Sequence, residues 1–173
     1  MLAAFTLIIA AVWALSAGRQ TVIEPLWLGV LIACAATYMI VTGIVYNVLL
    51  REVQLPQGTT VVWANEVLHV IAPLLMLAMV FLAPQRRRLG WGTLGIILIF
   101  PVVWAIYTMT RANLIVAPAT GEPYWYPYPF LDPNLVAGGY LGVAGYIVGI
   151  AAAIIAVGAG VVWMSRKRGT EAS

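Results

Sequence analysis

Five apolar runs, separated by short stretches that hold most of the charges and many of the prolines, make up most of this chain. They cover residues 2–17, 27–50, 61–82, 91–110 and 135–164. Runs of this kind leave a chain little choice of fold. A soluble domain carries charge on about a quarter of its residues to cover its surface. Here only 9% of residues are charged and 63% are hydrophobic, so the surface has to face an apolar solvent, and lipid is the plain candidate. Lipid offers no partner to backbone N–H and C=O groups, and a helix satisfies them internally. About 20 apolar residues rising 1.5 Å each cross a hydrocarbon core of about 30 Å. The expected fold class is therefore an all-α membrane protein, a bundle of five transmembrane helices forming one integral membrane domain over residues 1–173. The first run is short, reaching only about 24 Å. It lacks the basic leader of a cleavable signal peptide.

The basic residues set an orientation. Arg19, Arg86, Arg87, Arg88, Arg166, Lys167 and Arg168 fall in connections that share one side if every run crosses once, while Arg51 and Arg111 fall on the other. The positive-inside tendency then puts the C-terminus in the cytoplasm and the N-terminus outside. Trp27, Trp63, Trp91 and Trp163 stand at run ends, where indoles prefer the interface. Clusters placed this way encode topology and give no reason to expect nucleic acid. With Cys34 and His69 each the only residue of its type, an intrachain disulfide, a zinc cage and a bis-histidine haem site are excluded, and no cofactor is expected. The last run carries Gly138, Gly142, Gly145, Gly149, Gly158 and Gly160. Small residues at this spacing read as close packing inside the bundle, with a homodimer face as the alternative.

The polar residues inside the runs carry what chemistry there is. In the third run Asn65, His69 and Pro73 are four apart and share a face, and Glu66 lies three before His69. Ionisable groups in a span are costly and tend to face a bundle interior or a water-filled cavity. Pro73 removes a helical hydrogen bond and frees a carbonyl. The second run contributes Thr42, Tyr46 and Asn47, and the fourth ends in Tyr107, Thr108 and Thr110. His69 and Thr42 each lie about 12 Å from the outer end of their run. The loop through Tyr126, Tyr128, Phe130 and Asp132 follows on the same side, so polar groups are expected to converge on the outer half. Each has a plainer role available. His69 can bond a neighbouring helix, Thr42 its own i−4 carbonyl at Tyr38. Glu66 can snorkel to the interface, and the loop can act as a rigid interfacial cap.

Three segments, Thr42-Gly-Ile-Val-Tyr-Asn47, Trp63-Ala-Asn-Glu-Val-Leu-His69 with Pro73, and Tyr126-Pro-Tyr-Pro-Phe-Leu-Asp132, resemble the bacterial Pr-six-Pr membrane proteins. Those are similar to the animal androgen-induced and androgen-dependent membrane hydrolases. The resemblance runs over nearly the whole chain, and its last two motifs are the specific ones. It implies six helices, a bacterial plasma membrane, and hydrolysis of fatty acid esters of hydroxy fatty acids by a threonine paired with a histidine. His69 matches that histidine. The family's threonine sits in a Phe-Thr segment that would end just before Met1, so the first run corresponds to the remainder of the family's second helix and the chain reads as N-terminally shortened.

The expected function is a lipid-ester hydrolase in which a hydroxyl attacks the acyl carbonyl with His69 as general base and then acid. Asn65 or Glu66 orients the imidazole, or Asn65 helps hold the oxyanion. Tyr46 and Asn47 support the site, and Tyr126, Tyr128, Phe130 and Asp132 bind the substrate headgroup. Thr42 is the substitute nucleophile within this chain. Membrane lipid is the expected partner. The alternative is a non-enzymatic scaffold or lipid-binding subunit. A transporter would need a polar path through the aliphatic cytoplasmic half.

Overall fold

The computed structural model describes residues 2–16, 23–53, 61–82, 87–118 and 120–169. Arg19 and Arg86, two of the orientation signals, lie outside the described residues, as does residue 17 of the first run. Among the described residues all regular structure is helical. Helix α1 is Leu2–Leu15. Helix α2 is Leu26–Leu50, its last turn, Tyr46–Leu50, wound as a π-helix. Helix α3 is Val62–Leu82, with a π-turn at Val67–Ile71. Helix α4 is Thr93–Ala112 and α5 is Tyr140–Arg168. A short 3₁₀ turn, Pro129–Leu131, lies between the last two.

Four of these helices, α2 to α5, are long and apolar enough to cross a membrane, and α1, at 14 residues, is shorter. The exterior is apolar as well: Phe5, Val62, Leu75, Phe100, Leu141 and Val148 are all exposed. Water would penalise such a surface and hydrocarbon would not, so the fold is compatible with an integral membrane protein.

Helix α2 is the axis of the bundle and packs against all four others. Its small residues make this possible. Ala33, Ala35 and Ala36 are buried against Met76, Leu89 and Val161, and Cys34 and Val41 are buried against Ile97 and Ile154. Cys34 is buried and unpaired.

Helix α5 departs from the reading of the sequence at both ends. It starts at Tyr140 rather than 135, because Gly138 and Gly139 adopt positive φ (85° and 60°) and break the helix there. It then continues to Arg168. The expectation of a packed glycine stripe holds at Gly158, where an added Cβ would meet Leu94 and Ile97 side chains at 3.2 and 3.4 Å. At Gly145, Gly149 and Gly160 an added Cβ would meet nothing within 4 Å, so these glycines face open space instead of a packed neighbour.

Candidate functional site at the α2–α3 seam

Proline organises the seam. Pro73 has no N–H to give the carbonyl four residues back, which is that of His69. Asn47 on α2 donates its Nδ2 to that carbonyl at 3.2 Å and to the Gly43 carbonyl at 2.8 Å. The approach this needs is very close. A Cβ on Gly43 would lie 2.8 Å from both Cβ and Cγ of Pro73 and 3.3 Å from the His69 carbonyl oxygen. Two π-turns, Tyr46–Leu50 and Val67–Ile71, flank this contact. Turns of this kind cluster at functional sites.

The imidazole of His69 stacks on the ring of Tyr46, centroids 4.3 Å apart and planes 24° apart. Its Nδ1 lies 3.0 Å from the Asn65 carbonyl oxygen. A carbonyl only accepts, so in the neutral ring the proton sits on Nδ1 and the lone pair on Nε2. The Asn65 side chain donates its Nδ2 to the Tyr46 hydroxyl. Arg51 closes the rim of the seam: it donates to Asn47 Oδ1 and forms an ion pair with Glu66 at 3.0 Å.

Several expectations change here. Asn65 orients the imidazole through its backbone carbonyl, not its side chain. Glu66 turns to Arg51 rather than to His69. Thr42 does not meet His69: it is exposed and makes no hydrogen bond to the imidazole or to the Tyr38 carbonyl. The cause is helical phase. Gly43 is the contact point with α3, so Tyr46 and Asn47, three and four residues on, also face α3. Thr42, one residue earlier and about 100° around the helix, is turned outward. The ring against His69 is therefore Tyr46. Arg51 was not anticipated as part of the site, although its position four after Asn47 was the signal available.

The tyrosine loop folds elsewhere. It docks on α4 and α5, where Ala112, Tyr126, Leu131 and Val143 form a separate small core. Trp125 N–H donates to the Ala112 carbonyl at 2.8 Å. Buried Tyr126 places its hydroxyl 3.4 Å from Asn113 Oδ1 and 3.5 Å from the Tyr140 hydroxyl. Burial, reinforced by the Tyr140 hydrogen bond, pushes the Tyr126 phenol up to about 12. Tyr128 and Phe130 stack in parallel at 5.2 Å. Asp132 accepts from the backbone N–H and the side-chain amide of Asn134, at 2.8 and 2.9 Å, and so shapes its own turn. Arg111 lies over the rings of Tyr107 and Trp125. Thr110 bonds the Ile106 and Tyr107 carbonyls of its own helix. Among the described residues no hydrogen bond, ion pair or ring contact joins this loop to the His69 cluster. The polar groups do share one end of the bundle, but they form two sites and not one.

Between them, on the other side of α2 from Gly43 and Asn47, lies an apolar groove of about 380 Å³ whose walls include Ile44, Val48, Gly145, Tyr146 and Gly149. It exists because the α5 glycines leave their side of the helix bare. Among the described residues no group of three or more His, Cys, Asp or Glu side chains could hold a metal ion. Comparison of the chain with protein-family models, with curated proteins and with solved structures found no match in any of the three.

Proposed function

We propose that this chain is a bacterial plasma-membrane protein with its N-terminus outside and its C-terminus in the cytoplasm, whose α2–α3 seam hydrolyses lipid esters. The resemblance to the Pr-six-Pr proteins points the same way. One observation carries the chemistry: Nδ1 of His69 is committed to the Asn65 carbonyl, which leaves Nε2 as a proton acceptor. Among the described residues no hydroxyl is hydrogen-bonded to Nε2, so the nucleophile in this reading is water. Nε2 takes a proton as the water oxygen bonds to the acyl carbon. The ester C–O bond then breaks, and the imidazolium returns the proton to the leaving alkoxide. The Tyr46 ring beneath the imidazole and the Asn47 bond behind it hold the base in place.

The second reading is a non-enzymatic lipid-binding scaffold. It is favoured by the closure of the polar network, since Tyr46, Asn47, Arg51, Asn65 and Glu66 all find partners within the seam. The test is hydrolysis of a fatty acid ester of a hydroxy fatty acid by the purified chain in liposomes. The enzyme reading expects turnover that His69→Ala abolishes while the protein stays in the membrane, because removing a polar group from a span eases insertion. An equal rate in the variant removes His69 from the mechanism. An inert parent chain leaves the scaffold reading.

A further inference from the structure

The opposite end of the bundle joins two stretches of basic sequence that are far apart in the chain. Glu24, just before α2, accepts the backbone N–H of Arg87 at 3.0 Å, and the Arg87 guanidinium reaches back to the Glu24 carbonyl at 3.4 Å. Leu89 N–H donates to Ser165 Oγ at 3.3 Å, and Arg166 donates to the Leu89 carbonyl at 3.2 Å. These bonds bring Arg87 to the end of α5, beside Arg166, Lys167 and Arg168. A narrow cleft of about 30 Å³ runs between them, with Glu24, Gly29, Arg87, Ser165 and Arg168 among its lining.

Basic side chains outnumber carboxylates among the residues described at this end. Glu24 is the one carboxylate that the described residues place at this end. It is buried and bonded to a backbone amide. The Arg168 side chain is exposed and makes no hydrogen bond among the described residues. Two indoles mark the depth. Trp91 and Trp163 are half exposed and carry Arg166 and Lys167 over their rings at 5.8 and 5.1 Å. Tryptophans in this setting sit at headgroup level, so the cleft opens among phosphates. Its small volume keeps the ligand at the mouth.

We propose that Arg87 and Arg168 bind the phosphodiester headgroup of an anionic phospholipid at this mouth, with the Ser165 hydroxyl beside them. A guanidinium fork matches two phosphate oxygens, and basic pockets between membrane helices are suited to such headgroups. The site is separate from the His69 seam and independent of its chemistry.

The test uses the full chain in neutral detergent, with lipid retention read by native mass spectrometry. Phosphatidylglycerol is expected to be retained in preference to phosphatidylcholine. Arg87→Gln with Arg168→Gln is expected to lower phosphatidylglycerol retention by about fivefold per guanidinium removed, leaving phosphatidylcholine unchanged. Arg111→Gln, which removes the same charge at the far end, is expected to have no effect. Arg168→Gln alone disturbs no hydrogen bond among the described residues, so it carries the test if the double variant does not fold. Equal retention of the two lipids overturns the proposal. So does an equal loss in Arg111→Gln, which would reduce the effect to bulk charge. Inorganic phosphate that displaces the lipid at millimolar concentration and binds as well alone would make this a site for soluble phosphate and overturn the lipid assignment.

Discussion

Gly43→Ala is the most direct probe of the α2–α3 seam. The added methyl would sit 2.8 Å from Cβ and Cγ of Pro73 and 3.3 Å from the His69 carbonyl oxygen. The proline ring is tied to the backbone at both ends and cannot swing aside, so the helices have to separate. Overpacking of this kind costs about 1–3 kcal/mol. Separation also strains the Asn47 bond to His69, worth about 0.5–1.5 kcal/mol. Alanine returns up to about 1 kcal/mol in helix propensity. The net expectation is a loss of about 2 kcal/mol, read from unfolding of the purified chain in mixed micelles followed by far-ultraviolet circular dichroism. Gly145→Ala is the matched control. Its methyl meets nothing within 4 Å, so only the propensity gain remains and the variant is expected to be neutral or stabilised by up to about 1 kcal/mol. If Gly43→Ala is as stable as Gly145→Ala, the helices are not in the contact described, and the argument for the seam fails with it.

Three further outcomes follow from the same structure. Asn47→Leu leaves the His69 carbonyl without the donor that replaces Pro73, and should cost about 1–2 kcal/mol in the same unfolding assay; an unchanged midpoint would mean that another group serves that carbonyl. The Tyr126 phenol ionises at about 12 in the folded chain, against about 10 for an unfolded tyrosine. The folded state thus holds this proton longer, and the stability it confers is intact below about pH 10 and lost as pH climbs toward 12. The tyrosinate absorbance step missing from Tyr126→Phe should therefore centre near pH 12, and a missing step near 10 refutes the burial argument. For orientation, Arg87→Cys in a Cys34→Ala background should resist membrane-impermeant thiol reagents in intact cells; labelling from outside reverses the topology.

The helices were readable because an apolar run in lipid has a single way to satisfy its backbone, and their ends moved only by the few residues that caps and glycines decide. Position 135 is an example. Apolarity continues through Leu135 and Val136, but the positive φ of Gly138 and Gly139 stops the helix short. His69, Asn65 and Pro73 were readable as one face from their spacing. The partner face was not. Pairing Thr42 with His69 rested on depth alone, and depth says nothing of rotation about α2. The tyrosine loop failed differently. It lies at the correct end, but its own apolar residues, Tyr126 and Leu131, find a core on α4 and α5, and that choice depends on which helices neighbour each other in the bundle.

The rotation of α2 has a physical origin that the sequence does contain. A proline at 73 orphans the carbonyl at 69, and a carbonyl orphaned inside an apolar bundle needs a donor. The second run offers one amide near that depth, Asn47. Once Asn47 is turned to α3, the residue four before it must lie along the same line, and only a small residue fits opposite the proline ring. Gly43 meets that demand. Tyr46, beside Asn47, then falls beneath the imidazole and receives the Asn65 side chain. Thr42 has no place left on that face. The unsatisfied backbone group, more than the depth of any hydroxyl, determines which side chain meets the histidine.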